Sequence, residues 1–269
     1  MNNKKESVRL FWNNSSCGEN LYLIGESEIE KFNNEFQTRY ELEPEILDLV
    51  NFSAVNGKKV LEIGVGLGAD HQNFATNGAD LYGIDLTDRA IFYTKKRFEL
   101  YGLKSNLQVS DAENLPFKND FFDIVYSWGV IHHSPDTQKA IDEIFRTLKK
   151  GGEAKIMIYN TRSFVGYMLW IRYAFLKMKF NLSLKEIYDK YLESPGTKAY
   201  TKQEANAMFS AFSSVSVSSK LSHADLLNSD AGQRHRGWIL TLAKVFYPRF
   251  IIKKLFPSYG LFLIIKAIK

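Results

Sequence analysis

The 269-residue chain is 45% hydrophobic and 24% charged, which suits one globular domain with elaborations and excludes a disordered chain. A single cysteine, Cys17, excludes a disulfide framework and any cysteine-built zinc or iron–sulfur centre, and the opening MNNKKESVRL lacks the apolar core of a secretion signal, so a cytoplasmic location is expected. The net charge of +5 is unevenly placed: residues 231–269 hold eight Lys or Arg and no acid, leaving the remainder at −3, a bias that serves either as a solvated basic face or to attract anionic substrates, nucleic acid or membrane.

In chain order, residues 1–58 read as helical, with Trp12, Phe32, Phe36 and Tyr40 offering an aromatic side to the rest of the molecule. They are expected to form a cap or lid. From Lys59 to the end, β-rich runs alternate with helical periodicity, the arrangement of an α/β domain with helices on both faces of a parallel sheet. Strands are expected over 60–64, 80–85, 106–110, 122–127 and 153–159, and their unbroken apolar runs fit burial on both sides. Thr87 and Gly102 bracket one helix as N-cap and C-cap. Ser134-Pro135-Asp136 opens another, whose Ala140, Ile141, Ile144, Phe145 and Leu148 recur at helical spacing before Gly151-Gly152. Residues 163–200 read as a helical insertion and substrate-cap candidate: an aromatic, basic helix over 163–180, then a polar stretch through Gly196. A last pair of strands, near 214–220 and 260–267, flanks a basic helical segment from about His235 to Phe250. The apolar stretches 164–176 and 239–252 are interrupted by Arg172 and by Lys244, Pro248 and Arg249, so neither reads as a membrane span.

The run from Val60 to Asp70, VLEIGVGLGAD, is a strand entering a glycine-rich turn and then a helix. Gly64, Gly66 and Gly68 permit positive φ and close approach of a ligand to the backbone, and free amides at the helix start suit a carboxylate. Gly64, Gly66 and Ala69 also satisfy the dinucleotide fingerprint. Charge favours another ligand: Glu62 and Asp70 bracket the turn with no Lys or Arg between them, which would repel a diphosphate and welcome the sulfonium and ammonium of S-adenosylmethionine. Asp85, at the end of LYGID, sits where an acid accepts both ribose hydroxyls, with helix capping as the competing role. Asp111 could accept the adenine amine while the Ala112 amide meets a ring nitrogen. Four acids thus reach the carboxyl ends of consecutive strands, where open α/β sheets bind ligands.

With these residues in order, the motifs VLEIGVGLGAD, LYGIDLT, SDAENLPF, FFDIVYSWGVIHHSPD and LKKGGEAKIMIY, spanning roughly 58–160, make the chain resemble the class I S-adenosylmethionine-dependent methyltransferases of the "methyltransferase domain" type. The resemblance implies a Rossmann-like sheet of seven strands with the last antiparallel. It implies that Glu62 with Gly64, Gly66 and Gly68 surrounds the methionine part, that Asp85 holds the ribose and Asp111 and Ala112 the adenine, that Ser127, Trp128, Gly129 and Val130 line the cofactor opposite the turn, and that Val65, Asp70 and Leu86 are further cofactor contacts. S-adenosyl-L-homocysteine would be the product.

A sulfonium methyl is already activated, so such an enzyme mainly aligns the acceptor and excludes water; a base matters only if the nucleophile must lose a proton. His133 is the first base candidate and His132 the second, because both leave the fourth strand at the expected methyl position, and a structural role for the pair is the competing reading. Arg39, Tyr40, Trp170, Lys198 and Tyr200 are candidate acceptor contacts, each equally able to pack or pair elsewhere. The expected acceptor is a small-molecule metabolite methylated on O, N or C, and the protein a monomer or homodimer. Three alternatives are a lipid-like acceptor reached through a basic, apolar membrane-surface face, an RNA acceptor, and an NAD-dependent oxidoreductase. The sequence Ser127-Trp128-Gly129-Val130 lacks the Asn/Asp-Pro-Pro-aromatic turn that methylates base amines, and no Tyr-x-x-x-Lys pair follows the fourth strand, so nucleic acid and NAD rank below the small molecule.

Overall fold

Val60, Leu61, Glu62 and Ile63 are all buried, as a strand must be when helices cover both faces of its sheet. In the computed structural model, which describes residues 3–228 and 247–269, this strand is β1 (Lys59–Ile63) of a seven-stranded sheet with β2 (Asp80–Asp85), β3 (Asn106–Val109), β4 (Phe122–Trp128), β5 (Leu148–Tyr159), β6 (Ser214–Lys220) and β7 (Phe262–Ile268). The order is β3-β2-β1-β4-β5-β7-β6, and β7 runs antiparallel to both neighbours. The expected Rossmann-like architecture with its last strand antiparallel is what the chain adopts. Strand order reverses between β1 and β4, which opens a crevice at their carboxyl ends.

The four N-terminal helices, α1 (Asn3–Asn14), α2 (Glu19–Tyr22), α3 (Glu28–Leu42) and α4 (Glu45–Leu49), precede β1. Helix α5 (Ala69–Thr76) follows β1 and α6 (Asp88–Tyr101) follows β2. The Thr87 side chain caps α6 by accepting the Ala90 amide, and Gly102 ends it at φ 63°. Asp136 caps α7 (Thr137–Thr147) by accepting the Lys139 amide. This helix stops before the expected glycine pair, because Leu148 turns extended and pairs with Phe122 while keeping its side chain fully buried. Strand β5 therefore starts earlier than its apolar run suggested.

Helices α8 (Phe164–Tyr173) and α9 (Leu184–Tyr191) occupy the expected insertion, and α10 (Lys202–Met208) leads into β6. The basic segment expected from His235 to Phe250 lies outside the described residues except for its end, where α11 (Arg249–Leu255) begins. No helix among the described residues is long and apolar enough to cross a membrane.

The N-terminal segment is fastened over the crevice by ion pairs. Lys5 on α1 reaches Asp111 and Glu113, Glu19 on α2 pairs with Arg89, and on α3 Glu35 meets Arg97 and Arg39 meets Asp70. Arg97 also lies 4.6 Å from the centre of the Phe32 ring, so its buried charge is matched by both a carboxylate and an aromatic face.

Candidate active site

The β1 turn places Gly64, Gly66 and Gly68 at φ 84°, 55° and 84°, conformations that cost a side-chain-bearing residue strain. Gly64 has a second reason: a Cβ there would lie 2.2 Å from a methyl of Val130. A Cβ at Gly66 would meet nothing within 4 Å, so this part of the turn faces open space. That space is a cavity of about 200 Å³ enclosed by the carboxyl ends of β1, β2 and β4 and by the N-terminal helices.

Of the residues singled out for the cofactor, Glu62, Gly64, Val65, Gly66, Gly68, Asp70, Asp85, Leu86, Asp111, Ala112, Trp128 and Gly129 all line the cavity. Ser127 does not; it is fully buried and its hydroxyl donates to the Ile63 carbonyl at 3.2 Å. Asp85 accepts the amide and hydroxyl of Thr87 at 2.9 and 2.7 Å and the Gly66 amide at 3.3 Å. Its carboxylate thus ties the glycine turn to the start of α6, and Oδ2, which takes only the long Gly66 contact, keeps acceptor capacity.

The ring of negative charge inferred from sequence is corrected in three places. Arg39 forks onto Asp70 at 2.9 and 2.6 Å and reaches Glu43 at 3.2 Å. Burial pushes the Asp70 carboxyl up, and Arg39 with the Tyr126 hydroxyl more than reverses this, holding it below the usual range. Lys5 bridges Asp111 and Glu113 and offsets one of their two charges. Glu62 changes its proton count instead. The Ser105 hydroxyl donates to the Leu81 carbonyl, so its oxygen accepts from His71 Nε2 at 2.7 Å, and the neutral ring is left with an acceptor nitrogen 2.8 Å from Glu62. Burial holds His71 near pKa 3 and raises Glu62 well above the carboxylate range, so Glu62 donates its own proton to His71. Local sequence showed no cation in the turn because Lys5 and Arg39 arrive from a different part of the chain.

His133 lines the cavity, but His132 does not. It is fully buried behind His133, its ring 4.1 Å from Tyr159 and 4.3 Å from His133, with burial holding its pKa well below the ordinary value. It is placed to pack against the base candidate.

Arg39 lines the cavity as the partner of Asp70, which gives it a structural reason for being there. Tyr40, Trp170, Lys198 and Tyr200 do not line it. Tyr40 accepts from Asn73 and packs on Phe36 and Phe52. The Trp170 indole donates to the Leu182 carbonyl at 2.8 Å inside the insertion. The Lys198 ammonium is spent on the Ser134 carbonyl and Thr137 hydroxyl. Tyr200 pairs its backbone with Tyr159 and packs against the sheet core.

Glu43, Tyr159 and Glu193, none of them a candidate site residue from sequence, also line the cavity, together with Trp12, whose ring meets His133 edge-on at 5.5 Å. The Tyr159 hydroxyl donates to Glu193 at 2.9 Å. Glu193 lay in a polar stretch without periodicity, and only its distance from β5 in space gives it meaning.

Residues 61–156 match the family described as "Methyltransferase domain". The chain is 33% identical over 106 residues to phosphoethanolamine N-methyltransferase 2 of Caenorhabditis elegans, covering 39% of this chain and 24% of that protein. It is 32% identical over 135 residues to a ubiquinone biosynthesis O-methyltransferase of Coxiella burnetii, covering 50% and 56%. The chain thus spans less than two thirds of either relative. Among solved structures, a Haemonchus contortus phosphoethanolamine N-methyltransferase 2, complexed with phosphomonomethylethanolamine and S-adenosylhomocysteine, shares the fold at TM-score 0.63 and 16% identity, over 97% of this chain and 60% of that one.

Proposed function

We propose that the chain is a class I S-adenosylmethionine-dependent methyltransferase, as the match of its residues 61–156 to the methyltransferase domain supports, and that it moves a methyl group from S-adenosylmethionine to a small-molecule acceptor. The observation that carries the reading is the open glycine turn with Asp85 at its edge: space for the donor's carboxylate beside the start of α5 and an acid at hand for its ribose. Asp111 and Ala112 would take the adenine, provided that the Lys5 ammonium shares Asp111 or withdraws to Glu113. Bound there, the donor supplies a methyl group already activated by its positive sulfur. The chain's own residues close the N-terminal helices over it, exclude water and aim the acceptor. His133, buried at the carboxyl end of β4, is the residue placed to accept a proton from that acceptor.

A second reading, an acceptor carried on a membrane surface, is favoured by one face. Phe175, Leu176, Met178 and Phe180 stand exposed just past α8, and Phe250 and Leu255 on α11. Lys177, Lys179, Lys253 and Lys254 accompany them, and neither 164–182 nor 247–269 contains an acid. The Phe164 ring lies 6.0 Å from Phe256, joining the two patches. Exposed aromatics beside lysines suit an anionic bilayer surface.

One experiment separates the two. The protein is incubated with methyl-labelled donor and a cell extract fractionated into water-soluble metabolites, lipids and RNA. Label in the soluble fraction is the expected result; label confined to lipid transfers the reading to the membrane surface, and label in RNA contradicts both.

A further inference from the structure

The acceptor side of the cavity poses a hydrogen-bonding problem that one class of ligand solves. The Thr197 hydroxyl donates to the Ser194 carbonyl at 2.7 Å, so toward His133 Nδ1, 3.1 Å away, its oxygen can only accept. His133 Nδ1 therefore carries the hydrogen. The Ser194 hydroxyl, 2.9 Å from the same nitrogen and 3.4 Å from Thr197, can turn its proton to Thr197 and accept as well. In the neutral ring Nε2 is then left with a lone pair that is buried and has no hydrogen-bond partner. What it faces, at 3.4 Å, is Glu193 Oε2, a second acceptor.

The neutral ring thus sets an acceptor without a donor against one that already takes the Tyr159 hydroxyl, with no hydrogen between the two, a contact that a ligand donating to both relieves. A hydroxyl has one hydrogen to give and would satisfy one of them. An ammonium brings several on a single atom and satisfies both at once. Charge agrees. Asp70 and Glu43 are held by Arg39, Asp111 and Glu113 by Lys5, and Glu35 by Arg97, whereas among the described residues Glu193 forms no ion pair with a Lys or Arg. Tyr159 stands beside this carboxylate and Trp12 beside His133, and both line the cavity, where an aromatic face attracts a cation.

We propose that the methyl acceptor is a primary or secondary amine, that Glu193 binds its ammonium form, and that His133 Nε2 takes one of its protons. This rests on the methyltransferase reading above. The freed lone pair then bonds to the donor's methyl carbon as the carbon–sulfur bond breaks and its electron pair stays on sulfur. The positive charge passes to the methylated amine, which Glu193 still faces, and His133 returns its proton to water. The amine group is the shared chemistry of two sources, a free metabolite and a lipid headgroup.

The test begins with calorimetry of S-adenosylhomocysteine alone; a protein that does not bind it fails the methyltransferase reading before any amine is added. The protein saturated with S-adenosylhomocysteine is then titrated with a panel of soluble primary and secondary amines, each matched by the alcohol of the same carbon skeleton. Vesicles containing phosphatidylethanolamine form a separate arm, compared with vesicles of phosphatidylcholine. Amines, and not their alcohols, are expected to bind, in one arm or the other. Glu193→Gln is expected to weaken the best amine about tenfold or more, the scale of a lost charged hydrogen bond, while leaving S-adenosylhomocysteine affinity as it was. The same amine should take up label from methyl-labelled donor. Binding or labelling of alcohols in preference to amines, no amine bound in either arm, or an amine affinity indifferent to Glu193→Gln would overturn the proposal.

Discussion

Asp85→Ala is expected to lower the affinity for S-adenosylhomocysteine by about 10²-fold or more, because two hydrogen bonds from ribose hydroxyls to a carboxylate are each worth about 1.5–3 kcal/mol. The loss has a second component. Asp85 also receives the Gly66 and Thr87 amides and the Thr87 hydroxyl, so its removal frees the glycine turn to move. Asp85→Asn separates the two contributions: the amide keeps an oxygen for the Thr87 contacts but loses the charge, and an intermediate affinity is expected. Calorimetric affinities for the two variants, together with near-unchanged far-ultraviolet circular dichroism, check the prediction. An Asp85→Ala protein that binds as well as the parent would remove Asp85 from the cofactor site.

Arg39→Met is expected to destabilise the fold by about 3–5 kcal/mol, the cost of leaving a buried carboxylate without its cation. Asp70 has a side chain only 1% exposed and takes both arms of the guanidinium, and Glu43 depends on the third nitrogen. Burial pushes the Glu43 carboxyl up to about 7, with Arg39 pulling against it. The pH dependence has a definite sign. Asp70's folded pKa lies below its ordinary 3.8, so its stabilising contribution is present above that value and is lost as pH falls through the folded one. The gap between parent and variant should be widest near neutrality and narrow in acid, where Asp70 in the variant can be protonated. Urea unfolding at neutral and acidic pH measures it; a gap below about 1 kcal/mol at neutrality, the scale of an exposed pair, would mean that Arg39 is not what balances Asp70.

The parts of this architecture that were legible in the sequence are those written in local chemistry. Glycines at 64, 66 and 68, the Thr87 cap, the Gly102 stop and the buried runs of β1 and β4 each announce a conformation within a few residues. The cofactor face was legible for the same reason, since a Rossmann-like sheet gathers strand ends that lie in sequence order along one edge. Charge balance was not, because it is set across the fold: Lys5 lies 106 residues from Asp111, and Arg39 lies 31 from Asp70. A diphosphate would therefore not meet bare carboxylates there, and the proposed donor rests on the family match and on the shape of the turn. The acceptor side was the least legible. Trp12, Tyr159 and Glu193 come from α1, β5 and the segment after α9, and nothing in their own neighbourhoods says that they converge on His133. Trp170, Lys198 and Tyr200 do not line the cavity: Trp170 is held within the insertion by Leu182, and Lys198 and Tyr200 by Ser134 and Tyr159 from distant parts of the chain.

The central claim is that this cavity holds S-adenosylmethionine and releases S-adenosylhomocysteine. Isothermal titration of the purified chain with S-adenosylhomocysteine and, in parallel, with NAD tests it most directly. Saturable one-to-one binding of S-adenosylhomocysteine with no heat from NAD is the predicted result. Uptake of NAD by a protein indifferent to S-adenosylhomocysteine would contradict the account.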